Sequence, residues 1–424
     1  MIDIKQIRQD PERFKKAARD KHFEVDIDKL LELDERIGEA KRKLQDIVTE
    51  KNRIGKSIPK LSGEEKEAAL TQLSELKERE AEYDREVKDS QPEFDRLMQL
   101  VAQPADADVP LGKDDTENVE IRKEGQIRKF DFEPKDHVQL GLALGIIDIE
   151  RGVKLAGTRN YFLKGDGALL HWAVLRFAMD YMVEKGYVPM SVPVLMKDEA
   201  MTGTGFFPGS EDQTYQMEKD QLNLAGTAEV PLTAYHSDEI LKAEELPKKY
   251  VAMSSCFRRE AGAAGKDTYG LYRIHQFDKV EQVVVCRNGV EESNKYHEQI
   301  LANAEAVMQA LELPYRVANV CTGDLGRGQA KKYDIEAWMP SRDNYCETHS
   351  ASKFYDFQAR RMNLRYKDPK AKKNLFCHTL NNTVIASPRI LIPILELYQN
   401  ADGSVTIPKV LRPYMSGKKK ITRE

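Results

Sequence analysis

The first quarter of the chain carries apolar residues at alternating three- and four-residue steps. One series runs from Leu30 to Ile54, and a second runs from Leu73 to Val101 after the break GKSIPKLSGEE. This spacing is typical of a coiled-coil seam, and two seams joined by a short turn predict an antiparallel helical hairpin over residues 28–101. At 1.5 Å per residue, each arm is expected to be about 45 Å long.

Beyond about residue 115 the pattern changes to short apolar runs rich in β-forming residues. The runs are YVAMSSCF, RIHQFDKVEQVVVC and GSVTIPKVL, and they lie among helical stretches at 167–186, 290–312 and 388–399. Strands that cluster in this way predict an α+β domain with a largely antiparallel sheet flanked by helices. The break QPADADVP then divides the chain into an N-terminal helical domain (1–104), a linker (105–115) and a second domain (116–424).

Composition limits the compartment and the kind of partner. The net charge of the 424-residue chain is only −4, so a nucleic-acid partner has to be met by local basic patches. The five cysteines form no CxxC pair, and the neighbours Cys377 and His378 lack zinc-site spacing, so we expect neither a disulfide framework nor zinc. The opening residues do not resemble a signal peptide, and no apolar run is long enough to span a bilayer; a cytoplasmic protein is predicted.

The hairpin has one basic flank. Residues 41–60 contain seven basic residues and only two acidic ones, Asp46 and Glu50. Such a projecting arm suits a phosphate backbone, although a plain spacer or a dimerisation element is the alternative interpretation. The candidate RNA-contacting residues are Lys41, Arg42, Lys43, Lys51, Arg53, Lys56 and Lys60.

The segment from Cys256 to Gln282 indicates a chemical site. It reads as strand, glycine-rich loop and strand, and a period of two puts Phe277, Lys279 and Glu281 on one face of the second strand. A ring, a cation and a carboxylate on one face are unusual for a structural strand. An arginine such as Arg258 can clamp a phosphate, and the aromatic ring can stack on a base.

This segment resembles motif 2 of class II aminoacyl-tRNA synthetases, and FRREAG…GLYRIHQFDKVE is similar to the seryl branch in its bacterial type. GYVPMSVPVL at 186–195 resembles motif 1, and HTLNNTVIASPRILIPILELYQ at 378–399 resembles motif 3. LAGTAEVPLTAYH is similar to the family's Thr-x-Glu serine loop, and DIEAWMPS…ETHSAS is similar to its ATP and magnesium segment. The resemblance covers essentially the whole chain and implies a class II antiparallel sheet preceded by an RNA-binding coiled coil.

The resemblance also implies a serine pocket. Thr227 and Glu229 would receive the amino group, Arg258 the carboxylate together with the α-phosphate, and Glu281 the hydroxyl group. Asn381 and Thr383 would close the pocket.

The nucleotide site is implied in the same way. Phe277 would stack on adenine, Glu260 and the backbone near Ile274 would contact the base, and Arg389 would meet the γ-phosphate. Glu347 and Ser350 match the family's Mg²⁺ ligands, and Arg259, Thr348 and His349 complete the expected ATP contacts. The chain departs from the family pattern at Thr348-His349, at residues 351–353 and at Arg259, which stands where a small residue is more usual. The alternative for Arg259 is a side chain that points to solvent.

The implied activity is ligation of L-serine to tRNA(Ser) with ATP, with tRNA(Sec) as a second candidate RNA and a homodimer joined through motif 1. One alternative is a paralogue that binds tRNA without catalysis, but Arg258, Arg389 and Glu347 are all present. Another is an enzyme that charges a carrier protein, which would lack the arm. A zinc-dependent variant is disfavoured because the Thr-x-Glu segment is retained.

Overall fold

A computed structural model describes residues 1–263, 265 and 267–423, which form two compact units divided between residues 104 and 105. Within these residues, no helix combines the length and apolarity needed to cross a bilayer. The cysteines at 256, 286, 321, 346 and 377 are all buried and unpaired.

The first unit is helical. Its elements are α1 (Ile4–Gln9), α2 (Pro11–Asp20), α3 (Ile27–Ser57) and α4 (Glu64–Leu100). Lys41 of α3 contacts Gln91 of α4, and Lys51 contacts Glu80, so ten residues forward along α3 correspond to eleven residues back along α4. The predicted antiparallel hairpin is therefore confirmed.

The predicted seam holds the two long helices together. Asp26 caps α3 by accepting a hydrogen bond from the Lys29 N–H, and Gly63 begins α4 with a positive φ of 56°. The buried seam residues of α3 follow the three- and four-residue steps of the sequence, and they are Ile27, Leu30, Leu33, Ile37, Ala40, Ile47 and Ile54.

The second unit mixes helices with sheet. Its helices are α5 (His137–Ala143), α6 (Ile149–Ala156), α7 (Asp166–Glu184), α8 (Asp198–Thr204), α9 (Glu229–Ala234), α10 (Val290–Ala310), α11 (Phe357–Arg361) and α12 (Leu391–Leu397). The strands are β1 (Val119–Glu124), β2 (Ile147–Asp148), β3 (Phe162–Leu163), β4 (Val188–Met190), β5 (Leu195–Met196), β6 (Gln216–Met217), β7 (Leu222–Leu224), β8 (Ile240–Lys242), β9 (Lys248–Phe257), β10 (Gln276–Cys286), β11 (Tyr315–Asn319), β12 (Lys331–Met339), β13 (Asn344–Tyr355), β14 (Arg365–Asp368), β15 (Lys373–Phe376), β16 (His378–Ser387), β17 (Val405–Thr406) and β18 (Lys420–Ile421).

Eight strands form the main sheet in the order β1-β11-β12-β13-β16-β10-β9-β4. Neighbouring strands run antiparallel except for the parallel pair β4 and β9, which confirms the predicted α+β class with a largely antiparallel sheet. The order brings β9, β10, β16 and β13 side by side, so the segments that resemble motif 2, motif 3 and the ATP segment become neighbours.

The two faces of β10 meet different layers. Val280 and Val284 belong to the large core that includes residues of α7, α10 and α12, whereas Val283 and Val285 belong to a smaller cluster with residues of α9 and α11. Because side chains alternate along a strand, Lys279 and Glu281 share the second face. The helices α7, α10 and α12 thus pack on one face of β10, whereas α9 and α11 pack on the other face, to which Lys279 and Glu281 also belong.

Residues 105–115, predicted as a linker, make specific contacts within the second unit. The Asp106 N–H donates to the Ala330 carbonyl, and Lys331 and Lys353 form ion pairs with Asp108 and Asp106. The boundaries given above for the linker and the two domains remain a prediction.

The run GSVTIPKVL was expected to be a strand, and this expectation is mostly wrong. Only Val405–Thr406 are in a strand, and a 3₁₀ helix follows at Lys409–Met415. Pro408 precedes that helix and has no N–H to donate to a sheet ladder, so the strand cannot continue.

Adjacent residues of α3 provide a test of the seam. Ile47 is 4% exposed and Val48 is 40% exposed. We expect Ile47→Ala to lower the unfolding free energy of the hairpin by about 2–4 kcal/mol because it leaves a cavity, and Val48→Ala to change it by about 0.5 kcal/mol or less. Urea unfolding of the whole chain, followed by helical circular dichroism, measures both; equal effects would contradict the seam.

Candidate active site

A cleft opens on the second face of the sheet. The cleft is formed by the hairpin of β9 and β10, by strands β13 and β16, and by Arg389, two residues before α12. Its lining residues are Arg258, Glu260, Leu271, Tyr272, Arg273, Ile274, Phe277, Lys279, Glu347, Thr348, His349, Ser350, Thr383, Ala386 and Arg389.

Two register shifts shape the cleft. Glu347 and Ser350 are three residues apart and would face opposite sides of a regular strand. Ile335 pairs with His349 and Glu336 pairs with Glu347, so Thr348 is an extra residue in β13. This bulge brings both side chains to the cleft.

Strand β16 contains the corresponding irregularity. Val280 pairs with Ile385 and Glu281 pairs with Thr383, which makes Val384 the extra residue. Thr383 and Ala386 can therefore both line the cleft although they are three positions apart in the strand.

Two carboxylates lie deep beside the Lys279 end of the cleft. Glu229 is 9% exposed and Glu281 is 2% exposed. Glu229 Oε1 accepts a 2.8 Å hydrogen bond from Gln358 Nε2. Burial and the neighbouring charge of Glu281 raise the pKa of Glu229 to about 7.

Polar side chains surround Glu281. Its carboxylate forms an ion pair with Lys279, and Oε2 accepts from the Thr383 hydroxyl at 3.4 Å. Asn381 is 5% exposed, and its Nδ2 has no hydrogen-bond partner of ordinary geometry in the described part of the chain. The structure thus brings the predicted serine-site residues Thr227, Glu229, Glu281, Asn381 and Thr383 into one buried polar cluster.

The opposite end of the cleft is rich in arginine and aromatic groups. The Arg258 guanidinium carbon lies 5.1 Å from the Phe277 ring centroid, and Arg273 Nη1 donates to Glu260 Oε2 at 2.8 Å. Glu260 has a positive φ of 53°, and Ile274 is 5% exposed. A flat ring beside a guanidinium group can accommodate a purine and its phosphates.

Arg389 joins motif 3 to the cleft. Its Nε donates to the Tyr272 carbonyl at 3.0 Å, and its Nη1 donates to the Glu347 carbonyl at 3.2 Å. The guanidinium carbon also lies 4.3 Å from the Tyr272 ring centroid. These contacts hold a fixed positive charge beside Glu347.

Arg259 is turned toward a different segment. Its backbone N–H donates to the Gln213 carbonyl, and Nη1 donates to the Asp212 carbonyl at 3.3 Å. The residue is absent from the described lining of the cleft. Its assignment to ATP binding therefore stays a prediction without a contact to support it.

The departure at Thr348-His349 forms a buried polar pair at the β13 bulge. The Thr348 hydroxyl donates to the Ile335 carbonyl at 3.1 Å and lies 2.8 Å from His349 Nδ1. Burial lowers the pKa of His349 to about 4, so the imidazole is neutral at pH 7. The pair accompanies the register shift that turns Glu347 and Ser350 into the cleft.

Glu347 and Ser350 offer oxygen ligands on that strand. The Glu347 side chain is 47% exposed and lies 3.7 Å from Arg389. Partial enclosure by the cleft opposes its ionisation, but the positive charges of Arg389, Lys332 and Arg258 lower the pKa of Glu347 below its ordinary value. Mg²⁺ is usually held by one or two carboxylates together with substrate phosphates and water, so this donor set fits Mg²⁺.

Sequence reasoning gave no role to Gln358 or to the Lys279 ammonium group. Gln358 is fully buried, donates to Glu229 and accepts from Thr379 Oγ1 at 2.6 Å. Residue spacing carries no signal for it, because it belongs to the short helix α11 and meets the site only in the folded chain. For Lys279 a signal was available, because the alternation of side chains put it on the same strand face as Phe277 and Glu281.

Comparison with known proteins places these features in a family. Residues 1–102 match the model for the seryl-tRNA synthetase N-terminal domain, and residues 213–398 match the class II core domain of the G, H, P, S and T tRNA synthetases. The serine–tRNA ligase of Deinococcus radiodurans is 45% identical over 99% of this chain and 98% of its own length. The chain belongs to the seryl-tRNA synthetase family.

Solved structures of the seryl-tRNA synthetase family share the architecture. The enzyme from Pyrococcus horikoshii, complexed with ATP, has a TM-score of 0.94 and 39% identity, with full coverage of both chains. The cytoplasmic serine–tRNA ligase from Naegleria fowleri, in complex with AMP, has a TM-score of 0.87 and 32% identity over 98% of this chain and 96% of its own.

Glu229 makes stability depend on pH. A carboxyl group whose pKa is raised on folding holds its proton more tightly in the folded state, so stability falls as pH rises from about 4.5 through 7. We expect Glu229→Gln to remove this loss, which is at most about 3 kcal/mol. Melting temperatures of both proteins at pH 5 and pH 8 measure it; parallel pH dependence would contradict the raised pKa.

Proposed function

We propose that this protein joins L-serine to tRNA(Ser) in two steps. A serine carboxylate oxygen bonds to the α-phosphorus of ATP, and pyrophosphate leaves. A ribose hydroxyl of the terminal adenosine then attacks the seryl carbonyl carbon, and AMP leaves. The observation that carries this proposal is one cleft lined by arginines and an aromatic ring, with the buried carboxylates of Glu229 and Glu281 beside its Lys279 end, in a chain 45% identical to a serine–tRNA ligase.

The first step brings two anions together, so positive charge has to be in place beforehand. Arg258, beside the Phe277 ring, would bind the serine carboxylate and the α-phosphate. Arg389, which donates to the Tyr272 and Glu347 carbonyls, would meet the γ-phosphate. Phe277 stacks on adenine, and Glu260 and the Ile274 backbone contact its edge.

Recognition of serine depends on buried polar groups. The segment of Thr227 and Glu229 takes the ammonium group, Glu281 accepts the hydroxyl hydrogen, and Thr383 and Asn381 close the pocket. A site built to hydrogen-bond a hydroxyl rejects an analogue that lacks it by as much as about 10⁴–10⁵-fold, because its own groups are left unpaired. Alanine and glycine are therefore poor substrates.

Mg²⁺ accompanies ATP at Glu347 and Ser350. The bound ion would neutralise phosphate charge as the reaction proceeds. Glu347 holds its carboxylate toward the cleft beside Arg389, and the bulge at Thr348 keeps Ser350 on the same side. Among the described residues, no three His, Cys, Asp or Glu side chains are grouped to hold a metal, so phosphate and water would complete the ligand set.

The basic flank of the hairpin binds tRNA. Two of the seven candidate RNA-contacting residues already form ion pairs within the arm. Lys51 pairs with Glu80 and Arg53 pairs with Glu50, so less of their charge is available for RNA. The remaining five make no ion pair within the described residues and are better placed to meet phosphates; they are Lys41, Arg42, Lys43, Lys56 and Lys60.

The other family expectations belong to the same proposal. The protein works as a cytoplasmic homodimer, needs no zinc, and accepts tRNA(Sec) as a second RNA where that RNA is present. A non-catalytic tRNA-binding paralogue is disfavoured, because Arg258, Glu347 and Arg389 all lie in one cleft.

Serine-dependent ATP–pyrophosphate exchange tests the activation step. We expect exchange with serine and little with alanine, threonine or glycine. Glu281→Gln is expected to lower kcat/KM for serine by about 10²-fold or more, because a buried, paired carboxylate is lost from the pocket.

Glu305→Gln is the matched control, since Glu305 is also buried and paired, with Arg122, outside the cleft. It should keep the wild-type kcat/KM. Folded wild-type protein that exchanges with no amino acid would refute the proposed function.

The arm is tested separately from activation. Replacing Lys41, Lys43 and Lys56 together by alanine is expected to raise KM for tRNA and to reduce the slope of log affinity against log salt by about 2–3. Pyrophosphate exchange without tRNA should not change. Lys66, Lys77 and Lys88 on α4 provide the control triple variant, and equal losses in both variants would argue against a specific basic flank.

A further inference from the structure

Lys279 occupies a position that the roles given above leave unexplained. It lies in the central strand β10, is 5% exposed, and faces the same side as Phe277 and Glu281. Its Nζ donates a 2.7 Å hydrogen bond to Thr227 Oγ1 and forms an ion pair with Glu281 Oε2. One ammonium group thus connects the Thr-x-Glu segment with the strand that carries Glu281.

This contact decides what the Thr227 hydroxyl can do. The oxygen accepts from Lys279 Nζ and also from the Glu229 N–H, at 3.1 Å. A hydroxyl has two acceptor lone pairs and one hydrogen, so both lone pairs are used and only the hydrogen remains. The Thr227 side chain therefore cannot accept a hydrogen bond from an ammonium group while these contacts persist.

The same accounting assigns the carboxylate oxygens. Gln358 donates to Glu229 Oε1 and the Asn381 amide also faces this carboxylate, whose two oxygens still have lone pairs for a further donor. Lys279 and Thr383 both meet Glu281 Oε2, so Oε1 can accept a hydroxyl hydrogen. Both carboxylates are held by protein contacts and keep acceptor capacity for substrate.

We propose that Lys279 is a positioning residue that sets the specificity of the serine pocket by bridging Thr227 and Glu281. This inference rests on the proposed function. By taking the Thr227 lone pair that the Glu229 N–H leaves free, it directs the substrate ammonium group to the Glu229 carboxylate, and by holding Glu281 Oε2 it turns Oε1 toward the substrate hydroxyl. Its charge also offsets one of the two buried carboxylates.

The charge has a measurable consequence at Glu229. The charged groups that face Glu229 are Glu281 and Lys279, both on β10, while α11 and β16 present the neutral amides of Gln358 and Asn381. Lys279 favours the ionised form of Glu229, so its removal raises the pKa of Glu229 further. Binding of the serine ammonium group then needs a higher pH.

Lys279→Met tests the bridge, because methionine keeps the length of the side chain and removes its charge. We expect kcat/KM for serine in pyrophosphate exchange to fall by about 10²-fold, mainly through KM, as an interaction that positions the substrate in both ground and transition states is lost. The ratio of kcat/KM for serine over alanine should fall about tenfold, and the acidic limb of the pH profile for serine should move to higher pH.

Lys353→Met is the matched control. Lys353 is also a buried lysine of the main sheet, 2% exposed, but it pairs with Asp106 and lies outside the cleft lining. We expect this variant to lose thermal stability and to keep both the serine-over-alanine ratio and the pH profile. Equal changes in the two variants would reduce Lys279 to a structural role and overturn the proposal.

Thr227→Val covers the case in which Lys279→Met does not fold. It removes the bridged oxygen without leaving a carboxylate unpaired, and about a tenfold fall in kcat/KM for serine is expected, with KM for ATP unchanged. Unaltered serine kinetics would overturn the bridge. Wild-type protein without serine-dependent exchange would instead refute the proposed function, so the two failures are distinguishable.

Discussion

Cross-strand pairing of β10 with β16 is the constraint on which the cleft depends. Glu281 stands opposite Thr383 because β16 contains one extra residue, Val384, at that point. If Val384 were paired in a regular ladder, Glu281 would stand opposite this valine, and the residues of β16 beyond it would exchange faces. The bulge at Thr348 has the same effect in β13, so a shift of one residue in each strand assembles groups from three separate segments.

Several charged side chains are buried in and beside the cleft. Two carboxylates and a lysine are buried at one end, and burying ions is costly unless each is paired and hydrogen-bonded. The Lys279 ion pair and the hydrogen bonds from Gln358 and Thr383 meet this requirement. Their geometry also restricts which oxygens remain for substrate, so the same contacts contribute to stability and to selectivity.

Sequence reasoning reached the fold and the family but not the local geometry. The hairpin followed from the seam, since three- and four-residue steps have one interpretation over this length. Period-two alternation placed Phe277, Lys279 and Glu281 together, yet it would have separated Glu347 from Ser350, because a bulge leaves no mark in a pattern of apolar residues. At Arg259, a departure from the family pattern, the sequence left a phosphate contact and a solvent-exposed side chain open, and the side chain reaches the Asp212 carbonyl.

The division of labour within the arm has an evolutionary consequence. The residues that hold α3 against α4 are buried along the seam, whereas exposed residues such as Lys56 and Lys60 lie outside it. Under the role proposed for the arm, exchanges at such positions would alter the affinity for RNA without disturbing helix packing and would leave the residues of the second unit unchanged. Preference for a particular RNA would then drift through single surface mutations, under selection separate from that on the chemistry of activation.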